Sequence, residues 1–255
     1  MDHIERTRRE FGQQAANFAA STAINDEDHV RRLVDPIGVA AQGRVLDVAC
    51  GPGIVTVELA RTARDVVALD LTPEMLNKAR ERCGKAARAN VCFEEGTASA
   101  LPFDDASFDA VVTRLSFHHF TEPRTVLAEM HRVLKPSGLL AVADIVTAED
   151  QEQAELQNAI EQLRDPSHVR MLPASELRAL VIAQRLSIQH DDTWDKVREF
   201  EEWVGIVANP ERIAPLRTVV RSLARAGVDA GMGLTLRDGA VHFFHRWQVL
   251  VARKH

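Results

Sequence analysis

Residues 45–49 form an apolar run with an acid, Asp47, inside it. The run leads into a loop carrying Gly51 and Gly53, and seventeen residues after Gly53 a second apolar run, 66–69, ends in Asp70. The segment between, residues 54–62, has helical patterning. Strand, glycine loop, helix and strand in that order open a parallel sheet with crossover helices. Glycines at the loop let backbone come close to a ligand. A carboxylate at the end of the second strand can accept hydrogen bonds from both hydroxyls of a ribose. With Asp47 nearby, the layout suits a nucleoside that carries a positively charged arm.

The rest of the chain extends the alternation. Strand patterns recur at residues 91–95, 108–113 and 139–146, the last read as apolar, as in a strand buried on both faces. Thr72-Pro73-Glu74 reads as a helix start with Thr72 as N-cap and Pro73 at the first helical position. Thr121-Glu122-Pro123 opens another helix, whose Val126, Leu127, Met130, Val133 and Leu134 recur at helical spacing. Beyond residue 148 the pattern predicts helices at 148–164 and 174–183, a sixth strand at 186–194, helices at 195–206 and 210–226, and a last strand at 241–251. The expected fold is α/β, a doubly wound, mostly parallel sheet with helices on both faces. Ligands of such sheets bind at the carboxyl ends of the strands. Asp47, Asp70, Gly96-Thr97-Ala98 and the segment Arg114 to His119 all follow strands, so four segments converge on one edge.

Composition narrows the function. The chain has 255 residues, 45% of them hydrophobic, and a formal net charge of −6 with both signs interspersed. No basic block tracks a phosphate backbone, which argues against a nucleic-acid partner. No apolar stretch reaches the eighteen residues of a membrane span. Cys50, Cys83 and Cys92 have no metal-ligand spacing. Their odd number and the charged N-terminus, which has no signal-peptide core, lead to the expectation of a cytoplasmic protein with reduced thiols. Cys50 fits the glycine loop as a small side chain. Tyrosine is absent, so no tyrosine can serve as a base.

The glycine pattern separates two nucleoside cofactors. A nicotinamide-dinucleotide site wants a third glycine for close helix–strand packing, and Thr56 stands there instead. The Asp47–Ala49–Gly51–Gly53 series resembles the acidic-x-Gly-x-Gly-x-Gly motif of class I S-adenosylmethionine-dependent methyltransferases, with Ala49 in place of the first glycine. The resemblance is closest to the ubiquinone and menaquinone C-methyltransferase-like small-molecule enzymes. It covers residues 40–148 firmly and the remainder weakly. It implies a seven-stranded Rossmann-like sheet whose antiparallel seventh strand lies beside the sixth. It also implies S-adenosyl-L-methionine as cofactor and S-adenosyl-L-homocysteine as product.

On that resemblance, Asp70 holds the ribose, Leu71 and Met75 flank the adenine, and Asp47 positions the methionine ammonium. Residues 96–103, Gly-Thr-Ala-Ser-Ala-Leu-Pro-Phe, are similar to a family segment that has an aspartate at the position of Thr97. Thr97 and the Ala98 N–H then face the adenine edge. Ala49, Cys50, Gly51, Gly53, Gly96, Arg114 and Leu115 complete the expected cofactor set. His118 and His119 are the candidate catalytic bases, since imidazole titrates near neutrality; the alternative is that they pack or cap the next helix. His168, Arg170 and Trp203 are expected near the acceptor, with a local salt bridge as the plainer reading of Arg170. No metal site is expected, because His190, Asp191 and Asp192 adjoin within a strand. The domain reading is an N-terminal helical lid at 1–43, a cofactor core at 44–148, and the remaining sheet with a helical acceptor cap at 149–255. The lid segments can equally form a homodimer face. Three other functions stay open: sensing S-adenosylmethionine without turnover, non-methyl chemistry such as cyclisation on the same fold, and nicotinamide-dependent oxidoreduction.

Overall fold

A computed structural model describes residues 2–22, 24–207 and 209–255. The chain begins with α1 (His3–Ala20), α2 (Glu27–Val34) and a 3-10 segment, Asp35–Gln42. The sheet then starts with β1 (Arg44–Val48), α3 (Ile54–Leu59), β2 (Asp65–Asp70), α4 (Pro73–Lys85) and β3 (Val91–Glu95). It continues through β4 (Phe108–Arg114), α5 (Pro123–Val133) and β5 (Leu134–Val146). The second part contains α6 (Gln151–Arg164), α7 (Ala174–Ala183), β6 (Leu186–Glu199), α8 (Phe200–Val204), α9 (Pro210–Arg225), β7 (Thr235–Arg237) and β8 (Ala240–Lys254).

The strand order is β3-β2-β1-β4-β5-β8-β6. The first five strands are parallel, and β8 runs antiparallel between β5 and β6. This is the expected doubly wound sheet, with one addition: the short β7 pairs with β8 as a hairpin. Alternate residues of the central strands point to opposite faces. Leu46, Val67, Val111 and Leu140 pack with Leu127, Met130 and Val181 of α5 and α7. Val45, Val66, Ala110 and Ala141 pack with Leu33, Ile37, Val55 and Leu59 on the other face. Both faces are therefore covered, which leaves the ends of the strands for a ligand.

Three elements depart from the sequence reading. β6 runs on to Glu199, and the helix expected at 195–206 shrinks to Phe200–Val204. Lys196, Arg198 and Glu199 are good helix formers, but partners from His245 to His242 on β8 hold them extended. β5 starts at Leu134, with a register shift against β4 before Leu139. Thr72 occupies the N-cap of α4 without making a side-chain cap bond; its N–H instead donates to Asp70 Oδ1 at 2.8 Å. In the second part, Ile160, Trp203, Val204, Leu216, Val220 and Phe243 form a separate apolar cluster joining α6, α8 and α9 to the hairpin end of β8.

Gly53, at the start of α3, shows what the glycine loop requires. Its φ is +78°, and a Cβ there would come within 2.8 Å of the Ala79 Cβ and 2.9 Å of its Cα on α4. We expect Gly53→Ala to lower the urea-unfolding free energy by about 1–3 kcal/mol, from left-handed strain and overpacking together; an unchanged midpoint would refute that account.

Candidate active site

The carboxyl ends of β1, β2 and β4 and the turn after β3 open into one cavity of about 290 Å³. α1 covers it. His3, Thr7 and Phe11 lie at four-residue spacing, so they share one helical face, and with Ile4 and Phe18 they line the cavity. α1 is held there from two sides. Arg8 donates to the Leu71 carbonyl (3.1 Å) and pairs with Glu95 (2.8 Å). Buried Glu10 pairs with Arg212 of α9 at 2.9 Å, and Asn17 donates to the Ile206 carbonyl at 3.0 Å.

Two buried carboxylates form the cavity wall. Asp70 Oδ2 accepts the Gly51 N–H and Oδ1 accepts the Thr72 N–H, both at 2.8 Å. These bonds aim the carboxylate and leave lone pairs free, since each oxygen can accept twice. Burial raises its pKa, and the two N–H bonds oppose that rise. Asp47 accepts from the Thr56 hydroxyl at 2.6 Å. Burial pushes its pKa to about 7 despite that bond, and the Asp70 charge adds to the rise. Among the described residues neither carboxylate forms an ion pair. Between them, Ala49 takes a left-handed backbone, φ +54°, as does Gly51 at +53°. For alanine this conformation costs about 1–2 kcal/mol.

The end of β4 supplies the opposite wall. Arg114 is buried, donates from Nη2 to the Ile24 carbonyl (3.0 Å) and lies over the Trp247 ring at 5.2 Å. Among the described residues its Nε has no hydrogen-bond partner, and burial lowers its pKa to about 10. Leu115 follows with φ +54°, and a 3-10 turn, Phe117–His119, brings the histidines round. Asp144 on β5 holds this turn. Its Oδ2 accepts the N–H groups of Phe117 (2.7 Å) and His118 (3.3 Å), and its Oδ1 accepts from His118 Nδ1 at 2.7 Å. Burial works against the His118 imidazolium, but the Asp144 charge and hydrogen bond outweigh it and raise the pKa. Burial likewise opposes the Asp144 carboxylate, and His118 outweighs it to leave that pKa low.

His119 differs from its neighbour. Its Nδ1 donates to the Ser167 carbonyl at 3.0 Å and lies 3.2 Å from the Ser167 hydroxyl. That bond places the ring proton on Nδ1 and leaves Nε2 as an acceptor. The Ser167 hydroxyl donates to buried Asp165 at 2.6 Å. Burial and then the His118 charge lower the His119 pKa to about 3, so the ring stays neutral. His3 Nε2 donates to the His119 carbonyl at 2.8 Å, tying the α1 roof to the same turn.

Of the residues expected around the cofactor, Asp47, Ala49, Cys50, Gly51, Asp70, Leu71, Met75, Gly96, Thr97, Ala98, Arg114 and Leu115 line this cavity. Gly53 lies behind it, packed on α4. Of the two histidines, His119 lines it, while His118 is turned toward Asp144. The residues expected at the acceptor are elsewhere. His168 Nε2 bonds Asn158 inside the fold. Arg170 pairs with Glu176 on the surface. Trp203 is buried against Phe200 and Phe243, with the Arg164 guanidinium over its ring. Five polar residues around the site were given no role there from the sequence: Thr56, Asp144, Asp165, Ser167 and His3. Asp144 had a legible signal, a single carboxylate interrupting the apolar run 139–146.

Residues 46–142 match the family model of a methyltransferase domain. The chain is 30% identical over 194 residues to the uncharacterised methyltransferase YcgJ of Bacillus subtilis, covering 76% of this chain and 77% of that one. It belongs to the class I S-adenosylmethionine-dependent methyltransferases. The crystal structure of B. subtilis YcgJ superposes with a TM-score of 0.82 at 28% identity, covering 90% of this chain and 99% of that one. A demethylmenaquinone methyltransferase of Renibacterium salmoninarum is 45% identical over 114 residues, spanning 45% of this methyltransferase and 46% of its own length. Among the described residues no helix is long and apolar enough to cross a membrane.

The Asp144–His118 pair makes stability depend on pH with a definite sign. His118 is raised above 6.5, so its contribution is complete below that pH and fades as pH rises through the folded value. Asp144 lies below 3.8, so its contribution is lost only as pH falls through the lowered value. Asp144→Asn should therefore cost most near pH 5, about 3 kcal/mol for a broken buried pair. It should cost less at pH 9, where the lost N–H acceptor remains the main defect. Equal losses in urea unfolding at both pH values would refute the ion pair.

Proposed function

We propose that this methyltransferase moves a methyl group from S-adenosyl-L-methionine to the oxygen or an acidic carbon of a small-molecule acceptor, inside the cavity under α1. The observation that carries the reading is the pair of buried carboxylates, Asp47 and Asp70, on one cavity wall, neither in an ion pair among the described residues. A ribose diol can take the free lone pairs of Asp70. An ammonium group beside Asp47 would supply the missing countercharge and return its pKa toward the usual range. The unpartnered Arg114 Nε suits the methionine carboxylate. Leu71 and Met75 flank the adenine, while Thr97 and the Ala98 N–H meet its edge. Ala49, Cys50, Gly51, Gly96 and Leu115 contribute backbone at close range, and Gly53 lets the loop pack.

Bound there, the cofactor supplies an electrophilic methyl on sulfur and leaves as S-adenosyl-L-homocysteine. The chain aligns the acceptor and excludes water, and such positioning is worth about 7–11 kcal/mol of barrier. Residues 1–43 act as the lid, through α1, and residues 149–255 complete the sheet and cap it. His119 Nε2 takes the acceptor's proton. The resulting charge is shared through Nδ1–H and Ser167 with Asp165, and the low pKa means the proton is passed on rather than stored. His118 and Asp144 keep the turn in place.

Calorimetry should register S-adenosylhomocysteine binding, and labelled methyl should leave the cofactor when a metabolite extract is added. No heat on mixing would end the reading. Asp70→Ala should weaken S-adenosylhomocysteine by about 100-fold or more, the worth of two charged hydrogen bonds.

His119→Ala should lower kcat about 10²-fold. In the wild-type enzyme the acid limb of kcat should lie well below pH 5, because His119 does not protonate at 6.5 as a free imidazole does. A limb near 6.5 would exclude His119 as the base.

A further inference from the structure

We infer that the methyl acceptor is an uncharged molecule with an apolar, ring-sized body that presents one O–H or acidic C–H to His119, and that Phe11 and Phe18 of α1 select that body. The inference rests on the methyl-transfer reading above. In the transfer the O–H or C–H electron pair becomes the new bond to the methyl carbon. The methyl–sulfur pair returns to sulfur, and the proton goes to His119 Nε2.

The charge inventory of the cavity carries the first half. Its Asp, Glu, Lys and Arg lining residues are Asp47, Asp70, Arg114 and Glu122. On the reading above, the first three go to the ammonium, the ribose and the carboxylate of the cofactor in that order. Arg114 already donates from Nη2 to the Ile24 carbonyl and lies against Trp247. An anionic acceptor would therefore meet a wall that, among the described residues, holds no lysine or second arginine, next to Asp47 and Asp70. Burying a charge without a partner is strongly disfavoured. A cationic acceptor would find only Glu122, which is exposed at the rim, where solvent and salt weaken the attraction.

The shape of the wall around His119 carries the second half. The Phe11 ring meets the His119 ring edge-on at 4.8 Å between centroids, and Phe18 stands 5.5 Å from Phe11. Ile4 and Phe120 line the same cavity. Flat or branched apolar groups gain from such aromatic edges and faces, whereas polar bodies lose their hydration there. His119 Nε2, with Nδ1–H committed to Ser167, is a neutral acceptor for one donor. An apolar body with a single acidic proton answers all three features.

Three para-substituted phenols test this on the full chain saturated with S-adenosylhomocysteine: 4-ethylphenol (neutral), 4-hydroxybenzoate (anionic) and tyramine (cationic). Isothermal calorimetry should show 4-ethylphenol binding about tenfold or more tightly than either charged analogue, the factor set by about 1.4 kcal/mol. Charged and neutral phenols binding equally, or none of the three binding, would overturn the inference while leaving cofactor binding intact. Failure of S-adenosylhomocysteine itself to bind would instead bring down the functional reading, and this inference with it. Phe11→Leu should weaken 4-ethylphenol at least fivefold more than it weakens S-adenosylhomocysteine. A loss confined to S-adenosylhomocysteine would assign α1 to the cofactor and overturn the selecting role. The wild-type series stands even if that variant fails to fold.

Discussion

The Asp70 carboxylate is the interaction on which the upper rim depends. One oxygen fixes the glycine loop through Gly51, and the other fixes the start of α4 through Thr72. Two connections that each run from a strand to a helix are thereby referenced to the end of the same strand. The Cys50 N–H adds a third tie, to the Leu69 carbonyl at 2.9 Å. The carboxylate is costly to bury, and its N–H donors offset part of that cost.

Strain and neutrality follow the same geography. Ala49 and Leu115, non-glycine residues with positive φ, flank the cavity at the ends of β1 and β4. Strain of this kind persists where surrounding structure over-determines the backbone. Asp144 does so for the turn after Leu115, with two N–H groups and a ring nitrogen on one carboxylate. The two adjacent histidines then divide into one whose protonated form Asp144 favours and a neutral ring facing the cavity. Proximity in sequence thus accompanies opposite pKa shifts, because β5 contacts one side chain and the loop at Ser167 contacts the other.

What the sequence revealed was local. Loop glycines, strand-end acids and the Thr97–Ala98 turn each sit within a few residues of the strand that carries them, so spacing alone located the cavity wall. The unread parts depend on long-range contact. Ser167 reaches His119 across 48 positions and Asp144 reaches His118 across 26. The N-terminal segment reads from sequence only as a lid or a dimer face, with no residue of α1 singled out for the cavity that Phe11 and Phe18 line. Arg170 and Trp203 carried chemistry-bearing side chains in an unassigned region, and tertiary partners, Glu176 and the α8–β8 cluster, had already claimed them. β6 outran its pattern for a similar reason: a partner strand outweighed the helix preference of its last residues.

The chain has three tryptophans and no tyrosine, and their placement has a spectroscopic consequence. Trp194 and Trp247 stack at 5.8 Å with 14° between planes, and Trp247 lies beneath the cavity-lining Arg114. Trp203 is isolated in the apolar cluster of α6, α8 and α9. Intrinsic emission therefore comes from two separate stations, one coupled to the guanidinium at the cavity and one buried in the cap. Their signals divide the molecule's response to a ligand into a rim component and a cap component without any introduced label.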